Sequence, residues 1–486
     1  YEYSLQHVSC IQPFMLNESI HGQWSGRMAF TLAAAGATIG LGNIWRFPYM
    51  ASEYGGLVFV LIYLVCMAFI GLPILMAELM IGRMGRQSPV HSIRELAEKT
   101  GRTRNWQIVG WMAIIAGILI LSFYSVIAGW SMGYLFRTAA GTFEDTTLDG
   151  SSAIFGFLIS DPERLLAWHT LFLLMTYFIV ARGIHRGLEL AIKILMPVLL
   201  VLMLLLLAYA MNSGEFGNGV SHMLFPETSK LTDVKSLGLV ILSAMGQSFF
   251  TLTLGAGAML VYGAYMPANV PITSSSITIV LLDTLFAVIG GMIMFPIIFA
   301  NGLESVAFNN GLSGQYGPGL IFQTLPLAFG QMPWGNLFGG MFFLMLIVAA
   351  LTSSIALLEP LVAYLVERHK TSRRMAASVG VSIAWVLGLG TIFSFNIWSG
   401  VYLLESFGIF VGKTIYHLFD LLASNILRPL GGLLIAIFAG RVLQWKSTED
   451  ELSIGQEYCG YALWRVSVRY ISPVLLVIVL IYSLLK

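Results

Sequence analysis

The sequence predicts an all-α polytopic membrane protein with eleven transmembrane helices, arranged as two inverted five-helix repeats whose first helices, 1 and 6, are interrupted. The 486 residues are 57% hydrophobic and only 10% charged, whereas a soluble domain carries about 25% charged residues. Apolar stretches long enough to cross about 30 Å of hydrocarbon recur along the whole chain. The first and the sixth of these stretches contain glycines and polar groups that a simple spanning helix would not have.

The eleven apolar stretches are numbered segment 1 to segment 11 in chain order. They cover residues 27–51, 57–81, 106–136, 165–181, 188–211, 237–262, 272–299, 336–365, 375–395, 414–438 and 462–485. The chain divides accordingly into a cytoplasmic N-terminal part (1–23), a first five-helix repeat (24–211), a second repeat (212–440), and a cytoplasmic loop with the eleventh helix (441–486).

Basic residues in the loops predict the orientation, because cytoplasmic loops carry an excess of Lys and Arg. They follow the even-numbered segments, whereas the loop after segment 3 is acidic and the loop after segment 7 has neither Lys nor Arg. The basic residues are Arg83, Arg86, Arg94, Lys99, Arg102, Arg104, Arg182, Arg186, Arg368, Lys370, Arg373, Arg374, Arg441 and Lys446. We expect a multi-pass protein of the inner (plasma) membrane with a cytoplasmic N-terminus and an external C-terminus.

Other features of the sequence exclude functions. The net charge of +1 gives no reason to expect a nucleic-acid partner, and the lipid bilayer is the expected surrounding. Cys10, Cys66 and Cys459 are too scattered for a disulfide framework or a metal site. Residues 1–23 lack the basic-then-apolar pattern of a cleavable signal peptide. The long loop 301–335 is expected to form a lid, and the oligomeric state is not predicted.

Segment 1 contains a glycine-rich polar run at residues 36–48. Three glycines within seven residues weaken the helix, since each costs up to about 1 kcal/mol relative to Ala. Asn43 and Arg46 follow, at a depth where a charge costs about 2.5–3.5 kcal/mol. A broken helix with polar groups is tolerated inside the membrane only where its backbone is buried in protein or lines a cavity.

Segment 6 is interrupted in the same way by glycines and hydroxyl residues between Gly246 and Met259. Because five spans separate the two starts, the second set of five would begin from the opposite membrane face. Interrupted helices at matching positions of inverted halves point to the central site of a transporter. Half-helix N-termini attract an anion, and unwound carbonyls bind a cation. Close helix packing at glycines is the alternative for either stretch alone.

The run Gly40-Leu41-Gly42-Asn43-Ile44-Trp45-Arg46-Phe47-Pro48 resembles the first-helix motif of the neurotransmitter:sodium symporters, which share the leucine-transporter fold. Further similar stretches are 71–78 with 82–83 in segment 2, 249–255 in segment 6, 351–354 in segment 8 and 464–473 in segment 11. The resemblance covers the chain from Trp24 to its end. Eleven predicted spans rather than twelve make the sequence most similar to bacterial members of this family. It implies a sodium-coupled amino acid symporter rather than an enzyme; a non-transporting amino-acid sensor on the same fold is the alternative.

The resemblance implies two sodium sites made of hard oxygen ligands, which suit an alkali cation. The first would use the carbonyl of Thr38, the side chains of Asn43 and Asp283, both the hydroxyl and the carbonyl of Thr251, and the substrate carboxylate. The second would use the carbonyls of Gly36, Ile39 and Ala349 with the hydroxyls of Thr352 and Ser353.

Asp283 is a carboxylate within an apolar segment, where a buried charge needs a partner. Family members that require chloride have Asn at this position and Ser one turn later, where this chain has Ala287. Tyr63 and Gln247, with Thr251, would line the former anion site. We therefore expect Asp283 to supply the fixed negative charge, so that chloride is not required. A neutral or snorkelling Asp is the alternative.

The resemblance also implies a substrate pocket. Tyr124 and the N–H groups near Leu41 and Gly42 would bind the substrate carboxylate, for which Gly40 leaves room because monoamine carriers have an Asp there. The amino group would meet carbonyls around Ala37, Phe250 and Thr253. The side-chain pocket would be lined by Ile120, Phe250, Thr253, Ala256, Ser353 and Leu357. It has no charged residue, and Ala256 replaces a bulky aromatic of the leucine-selective pattern, so a neutral, large hydrophobic or aromatic amino acid is expected.

Gates on both sides of the pocket follow from the same resemblance. Arg46 would pair with Asp420 externally, above a lid of Phe250 and Tyr124. On the cytoplasmic side Tyr265 would bond Glu359, and Glu367 would be the acidic gate residue. His21 stands where the family has Arg, so His21 serves there, or Arg27 substitutes, or His21 has only a surface role. Gly187 and Pro197 are expected to let segment 5 unwind.

Overall fold

The protein is represented by a computed structural model that describes residues 19–225, 234–304, 307, 319–403, 405, 412–454 and 460–485. Residues 1–18 of the predicted N-terminal part therefore lie outside the described residues. The same holds for Cys10, for Cys459 and for residues 305–306 and 308–318 of the expected lid. Cys66 is a buried free thiol.

The described secondary structure is entirely helical, as predicted. Nine helices within the described residues are long and apolar enough to cross a membrane, and they coincide with segments 2–5 and 7–11. They are Leu57–Gly85, Arg104–Ala139, Pro162–Val180, Ile184–Met211, Ile272–Phe299, Gly335–His369, Arg373–Ser394, Ile415–Val442 and Tyr461–Leu484.

Segments 1 and 6 are broken, also as predicted. Segment 1 consists of Arg27–Thr38 and Gly42–Glu53, which meet at 59° and together would form a tenth span. Segment 6 consists of Val234–Thr251 and the short helix Ala258–Ala264. Its helices are individually short, so the count of eleven spans and the inverted-repeat arrangement remain predictions.

Five shorter helices in the connections were not predicted. They are Pro89–Lys99, Leu148–Ser160, Phe216–Leu224, Leu320–Gly330 and Trp445–Leu452. Leu320–Gly330 belongs to the expected lid, and its Phe322 packs on Trp130 and Phe155 with ring centroids 5.6 and 5.7 Å apart. The described part of this loop is therefore packed against the helices.

Segments 3 and 8 form the interior of the molecule. In their most apolar stretch of 18 residues, 83% and 89% are buried, whereas the corresponding share is 28–50% in the other single-helix spans. They pack along each other. Gly117 of segment 3 allows a close approach, since a Cβ there would lie 3.1 Å from both the Leu357 and the Ala256 carbonyl oxygens. Segment 8 and the break of segment 6 are thereby brought against segment 3.

The break of segment 6 depends on left-handed backbone at Thr253, Gly255 and Gly257, with φ of 54°, 76° and 79°. Glycine adopts this conformation at no steric cost because it has no Cβ. Thr253 also adopts it, but at a steric cost from its Cβ. The freed Gly255 N–H donates to Glu78 of segment 2 at 2.7 Å. Breaking this helix therefore frees backbone groups that a buried side chain satisfies.

Candidate functional site

The two broken segments meet at their breaks. The Thr253 hydroxyl donates to the Ala37 carbonyl over 3.0 Å, which joins segment 6 to the last turn of the first half of segment 1. Segment 7 packs on both halves of segment 1, and segment 8 packs on the first half. A polar site is therefore enclosed by segments 1, 6, 7 and 8, with segment 3 alongside.

The predicted first sodium site is a connected set of buried oxygen-bearing side chains. The Asn43 amide donates to Asp283 Oδ1 at 2.8 Å and to Thr251 Oγ1 at 3.1 Å, and the Thr251 hydroxyl donates to Asp283 Oδ2 at 2.8 Å. Asn43 Oδ1 accepts from the Gly40 N–H at 3.0 Å. Carboxylate, amide and hydroxyl oxygens are the ligands that alkali cations use, so the residue set fits sodium, and Thr38 lies beside Asp283.

Several polar side chains next to this cluster lack partners. The Tyr63 hydroxyl, both amide atoms of Gln247 and the Thr284 hydroxyl are buried with no hydrogen bond within the described part of the chain. Buried polar groups without partners are costly. Tyr63 and Gln247 are two of the residues expected at the former anion site. The structure therefore places unsatisfied polar groups beside the Asp283 carboxylate, where an ion or water would satisfy them.

Three of the residues predicted for the second sodium site lie in one short helical stretch. Thr352 and Ser353 both donate to the Ala349 carbonyl, at 3.0 and 3.2 Å. A Cβ added to Gly36 would lie 3.3 Å from the Thr352 Cβ, so the backbone of segment 1 reaches this hydroxyl pair. Ile39 is fully buried at the end of the first half of segment 1, and its carbonyl as a ligand remains a prediction.

The predicted carboxylate pocket surrounds Gly40. A Cβ at Gly40 would lie 2.9 Å from the Ser353 hydroxyl oxygen and 3.2 Å from the Tyr124 hydroxyl oxygen. The Leu41 N–H points to the Tyr124 hydroxyl at 3.5 Å. Tyr124, Ser353 and the first N–H groups of the second half of segment 1 therefore converge on one point, as an anion site at a helix start requires.

The predicted side-chain pocket is apolar and buried. Ile120, Ala256 and Leu357 are 8%, 0% and 3% exposed. Gly117, nearly one turn before Ile120, contacts the backbone of both Ala256 and Leu357. The structure thus brings three of the predicted pocket residues together from segments 3, 6 and 8.

The predicted external gate pair is separated in this structure. Within the described residues no ion pair within 4.0 Å joins Arg46 to Asp420; Asp420 instead accepts from the Ser424 hydroxyl at 2.7 Å. The Arg46 guanidinium lies 4.2 Å from the centroid of the Phe250 ring. Arg46 therefore covers the predicted aromatic lid without closing onto its acidic partner.

At the predicted internal gate, His21 Nε2 lies 3.0 Å from Glu367 Oε1. Its role as a gate residue remains a prediction. Glu367 also binds His91 Nδ1 at 2.6 Å, the Ser88 N–H at 2.7 Å and the Ser88 hydroxyl. His91 and Ser88 belong to the short helix Pro89–Lys99 and its N-cap, and the sequence analysis did not identify either.

The second internal contact is also present. Tyr265 donates to Glu359 at 2.7 Å, and Glu359 further binds Arg373, which was not predicted. The Trp24 N–H donates to the Tyr265 carbonyl at 2.9 Å, so the start of segment 1 is held against the end of segment 6. Segment 5 is helical from Ile184 and continues through Pro197; its unwinding remains a prediction.

Arg428 of segment 10 is a site residue that the sequence analysis missed. It is 3% exposed and donates to the Leu254 and Phe250 carbonyls, each at 2.9 Å. Its guanidinium also lies 4.6 Å from the Phe250 ring centroid. The signal was available, because an arginine inside an apolar segment is by default a candidate functional residue.

A packed helical fold with two broken spans meeting at a buried polar site defines a multi-pass membrane transporter. The model of the sodium:neurotransmitter symporter family matches residues 21–147 and 159–486. The chain belongs to this family, which confirms the resemblance seen in the motifs, and it is a transporter and not an enzyme.

Individual relatives agree with the family assignment. An uncharacterised sodium-dependent transporter of Bacillus subtilis, YhdH, is 32% identical over 460 residues, covering 94% of this chain and 96% of the relative. The human sodium- and chloride-dependent GABA transporter 2 is 25% identical over 516 residues, covering 96% and 80%. A crystal structure of MhsT in complex with L-phenylalanine has a TM-score of 0.82 and 38% identity, and covers 95% of this chain and 99% of that one.

Proposed function

We propose that this protein is a sodium-coupled symporter of neutral, large hydrophobic or aromatic L-amino acids that works by alternating access and does not require chloride. The observation that supports this most directly is the junction at Gly40. Its N–H binds Asn43 of the predicted sodium site, and its Cα faces Tyr124 and Ser353. A substrate carboxylate bound there would lie next to a sodium ion, and its charge would couple the two ligands.

The polarity of the pocket supports the proposed substrate class. Ile120, Ala256 and Leu357 provide a buried apolar wall, and Ala256 is small where the leucine-selective pattern has a bulky aromatic. The structural relative MhsT was solved with L-phenylalanine. Because pocket shape discriminates weakly, at about 1–3 kcal/mol per methylene, several such amino acids would be carried.

The Asp283 carboxylate supports chloride independence. It is fully buried, and Asn43 and Thr251 both donate to it. A fixed anion at this point would balance the sodium charge in the way that a bound chloride does in chloride-dependent relatives. Two sodium ions are proposed from the two residue sets. We also propose the plasma membrane with a cytoplasmic N-terminus, which places His21 and Glu367 at the inner gate.

Uptake into proteoliposomes tests the proposal. With an inward sodium gradient, radiolabelled L-phenylalanine should accumulate above its equilibrium level, and replacing sodium by potassium should abolish this. Trp, Tyr, Leu and Met should compete, and replacing chloride by gluconate should leave the rate unchanged. Sodium-dependent binding without accumulation would instead indicate the sensor. Competition by Gly and Ala alone would refute the substrate class, and loss of uptake in gluconate would refute chloride independence.

The variant Asp283→Asn tests the role of the fixed charge. Uptake in gluconate should fall at least about tenfold, since an uncompensated charge in a buried site costs more than about 1.4 kcal/mol. Added chloride should restore part of the rate. Asp161→Asn, which removes a carboxylate at the surface end of segment 4, is the matched control and should be unaffected. Equal uptake of Asp283→Asn and wild type without chloride would contradict the proposal.

A further inference from the structure

A cavity of about 460 Å³ lies where the loop after segment 2, the end of segment 10, the helix Trp445–Leu452 and the start of segment 11 come together. Five of its lining residues are basic: Arg102, Arg441, Lys446, Arg465 and Arg469. No Asp or Glu is among the lining residues. None of the residues that line the cavity belongs to the substrate pocket or to either gate described above.

The five basic side chains lack carboxylate partners. Within the described residues none of them has an acidic oxygen within 4.0 Å, whereas nearby Arg83 is paired with Glu451. Arg441 donates only to the Arg469 carbonyl, at 3.4 Å. Arg465 lies 5.7 Å from the centroid of the Trp445 ring. Cations gathered around one cavity repel each other, so an anionic ligand between them would be favoured electrostatically.

Acidic groups do occur on the neighbouring helix. Glu449 and Asp450 act electrostatically on Tyr461 together with Arg465. Neither carboxylate lines the cavity. Among the described residues, the charge that faces the cavity is therefore positive, and the carboxylates of Glu449 and Asp450 lie outside its wall.

The floor of the cavity is held by contacts that do not involve the basic side chains. Tyr461 donates to the Trp445 carbonyl at 2.8 Å and hydrogen-bonds the Thr448 hydroxyl at 2.7 Å. Trp464 donates to the Pro73 carbonyl of segment 2 at 3.1 Å. Gly440 lets segment 10 approach segment 11, since a Cβ there would lie 3.0 Å from the Arg469 Cα. The cavity is thus a preformed feature of the packing.

The surroundings of the cavity indicate where it lies relative to the bilayer. On segment 11, Leu463, Val466 and Tyr470 are 62%, 47% and 53% exposed, and Trp445 is 50% exposed. Exposed apolar residues on a spanning helix face lipid, and Trp and Tyr concentrate at the membrane interface. The basic side chains therefore lie at headgroup depth, beside a lipid-facing surface, and on the face predicted to be cytoplasmic.

We propose that this cavity binds the phosphate-bearing headgroup of an anionic phospholipid. Arg465 and Arg469 would contact the phosphodiester from segment 11 and Arg441 from segment 10, while Trp445 and Tyr461 would lie beneath the headgroup. Arginine suits this ligand because its planar fork matches phosphate oxygens. Basic pockets between spanning helices are known to bind such headgroups on the cytoplasmic side. A bound lipid would tie the ends of segments 10 and 11 together.

Native mass spectrometry of the full chain, titrated with phosphatidylglycerol or phosphatidylcholine, tests the proposal. Wild type should bind one phosphatidylglycerol with saturation, and much more tightly than phosphatidylcholine. The variant R441Q/R465Q/R469Q should bind it about a hundredfold more weakly, at about fivefold per charge. Millimolar inorganic phosphate should not compete, because it lacks the acyl chains that lie against segment 11.

A matched control removes three charges from the same predicted face, away from the cavity. R368Q/K370Q/R374Q should keep its affinity within about threefold of wild type, consistent with screening of exposed charges. R441K/R465K/R469K keeps the charge but not the planar fork, so it should bind the lipid more tightly than R441Q/R465Q/R469Q and more weakly than wild type. An unchanged unfolding midpoint in both variants separates loss of charge from loss of fold. Equal loss in the control variant, equal binding of both lipids, or displacement by inorganic phosphate would each overturn the proposal.

Discussion

At the scale of single residues, Gly40 is the position that tests the predicted carboxylate pocket most directly. A Cβ would lie 2.9 Å from the Ser353 hydroxyl oxygen, and the φ of Gly40 is outside the left-handed region, so only space opposes alanine. Gly40→Ala should weaken sodium-dependent binding of L-phenylalanine about tenfold, since overpacking costs about 1–3 kcal/mol. Scintillation proximity or calorimetric titration would measure this.

Gly42→Ala is the control for this substitution. Its added Cβ would meet only the Phe250 ring, at 3.4 Å, which is ordinary contact, so binding should change less than about threefold. If Gly40→Ala and Gly42→Ala change the sodium-dependent affinity for L-phenylalanine equally, the groups that surround Gly40 do not form the carboxylate pocket.

Arg428 offers a second prediction at this scale. Arg428→Met removes two hydrogen bonds to the carbonyls of the segment 6 break, each worth about 1.5–3 kcal/mol for a charged donor. We expect the KM for substrate to rise at least about tenfold while sodium affinity without substrate stays near wild type, because Arg428 does not contact Asn43 or Asp283.

Arg428→Lys should restore only part of the substrate affinity, because an ammonium group does not reproduce the planar fork that spans two carbonyls. A parallel fall in substrate affinity, sodium affinity and unfolding midpoint would show instead that Arg428 serves only the fold.

The site residues that could be predicted from the sequence differ in their surroundings from those that could not. Asn43 and Asp283 were identifiable because a polar group within an apolar segment needs a partner, and the motif named the partners. His91, Ser88 and Arg373 lie in polar connections, where such residues are common. Their roles depend on which carboxylate the tertiary fold brings to them, which is Glu367 for the first two and Glu359 for the third.

At the scale of elements, hydropathy predicted where most spanning helices lie, and the glycines and polar residues of segments 1 and 6 predicted that these two helices are broken. Segment 7 has the predicted ends, and segment 1 breaks at its glycines. The five connecting helices were missed because most are too short to give a strong periodic signal, although Ser88 and Pro89 form a recognisable helix start. The left-handed conformation of Thr253 was not predictable either, since only the fold imposes it on a β-branched residue.

The N-terminal gate element gives a prediction at this scale. Glu367 holds His21 before segment 1 to His91 of the helix Pro89–Lys99. His21→Ala and His91→Ala should each speed hydrogen exchange at residues 19–26, where the Trp24 N–H is bonded to Tyr265. The double variant should give less than the sum of the single effects in free energy, because both act through Glu367.

His417→Ala is the control for the gate variants. His417 hydrogen-bonds the Thr414 hydroxyl at the start of segment 10, at 2.8 Å, on the side predicted to be external. Exchange at residues 19–26 should remain close to wild type in this variant. Additive effects of the two gate histidines, or an equal effect of His417→Ala, would contradict a gate centred on Glu367.

At the scale of the whole molecule, the sequence predicts the spans better than their packing or the conformation. The buried positions of segments 3 and 8 do not follow from hydropathy, because segments 2 and 5 are more apolar and yet far less buried. The state of the gates does not follow from the sequence either, because alternative conformations of a transporter differ by only a few kcal/mol. In this structure the His21–Glu367 contact is made and the Arg46–Asp420 pair is not, which is the combination expected when only the predicted cytoplasmic side is sealed.

Orientation and span count can be tested together by fusing a fluorescent protein that matures only in the cytoplasm. Fusion after Lys446, behind segment 10, should fluoresce, since Arg441 and Lys446 belong to a basic loop that stays inside. Fusion behind segment 11 should be dark, and a periplasm-active phosphatase at the same point should be active. Fusion after Arg104, in the loop with six basic residues, is the fluorescent control. Fluorescence at both late positions would contradict segment 11 as a span, and the reversed pattern would invert the topology and exchange the sides assigned to the two gates.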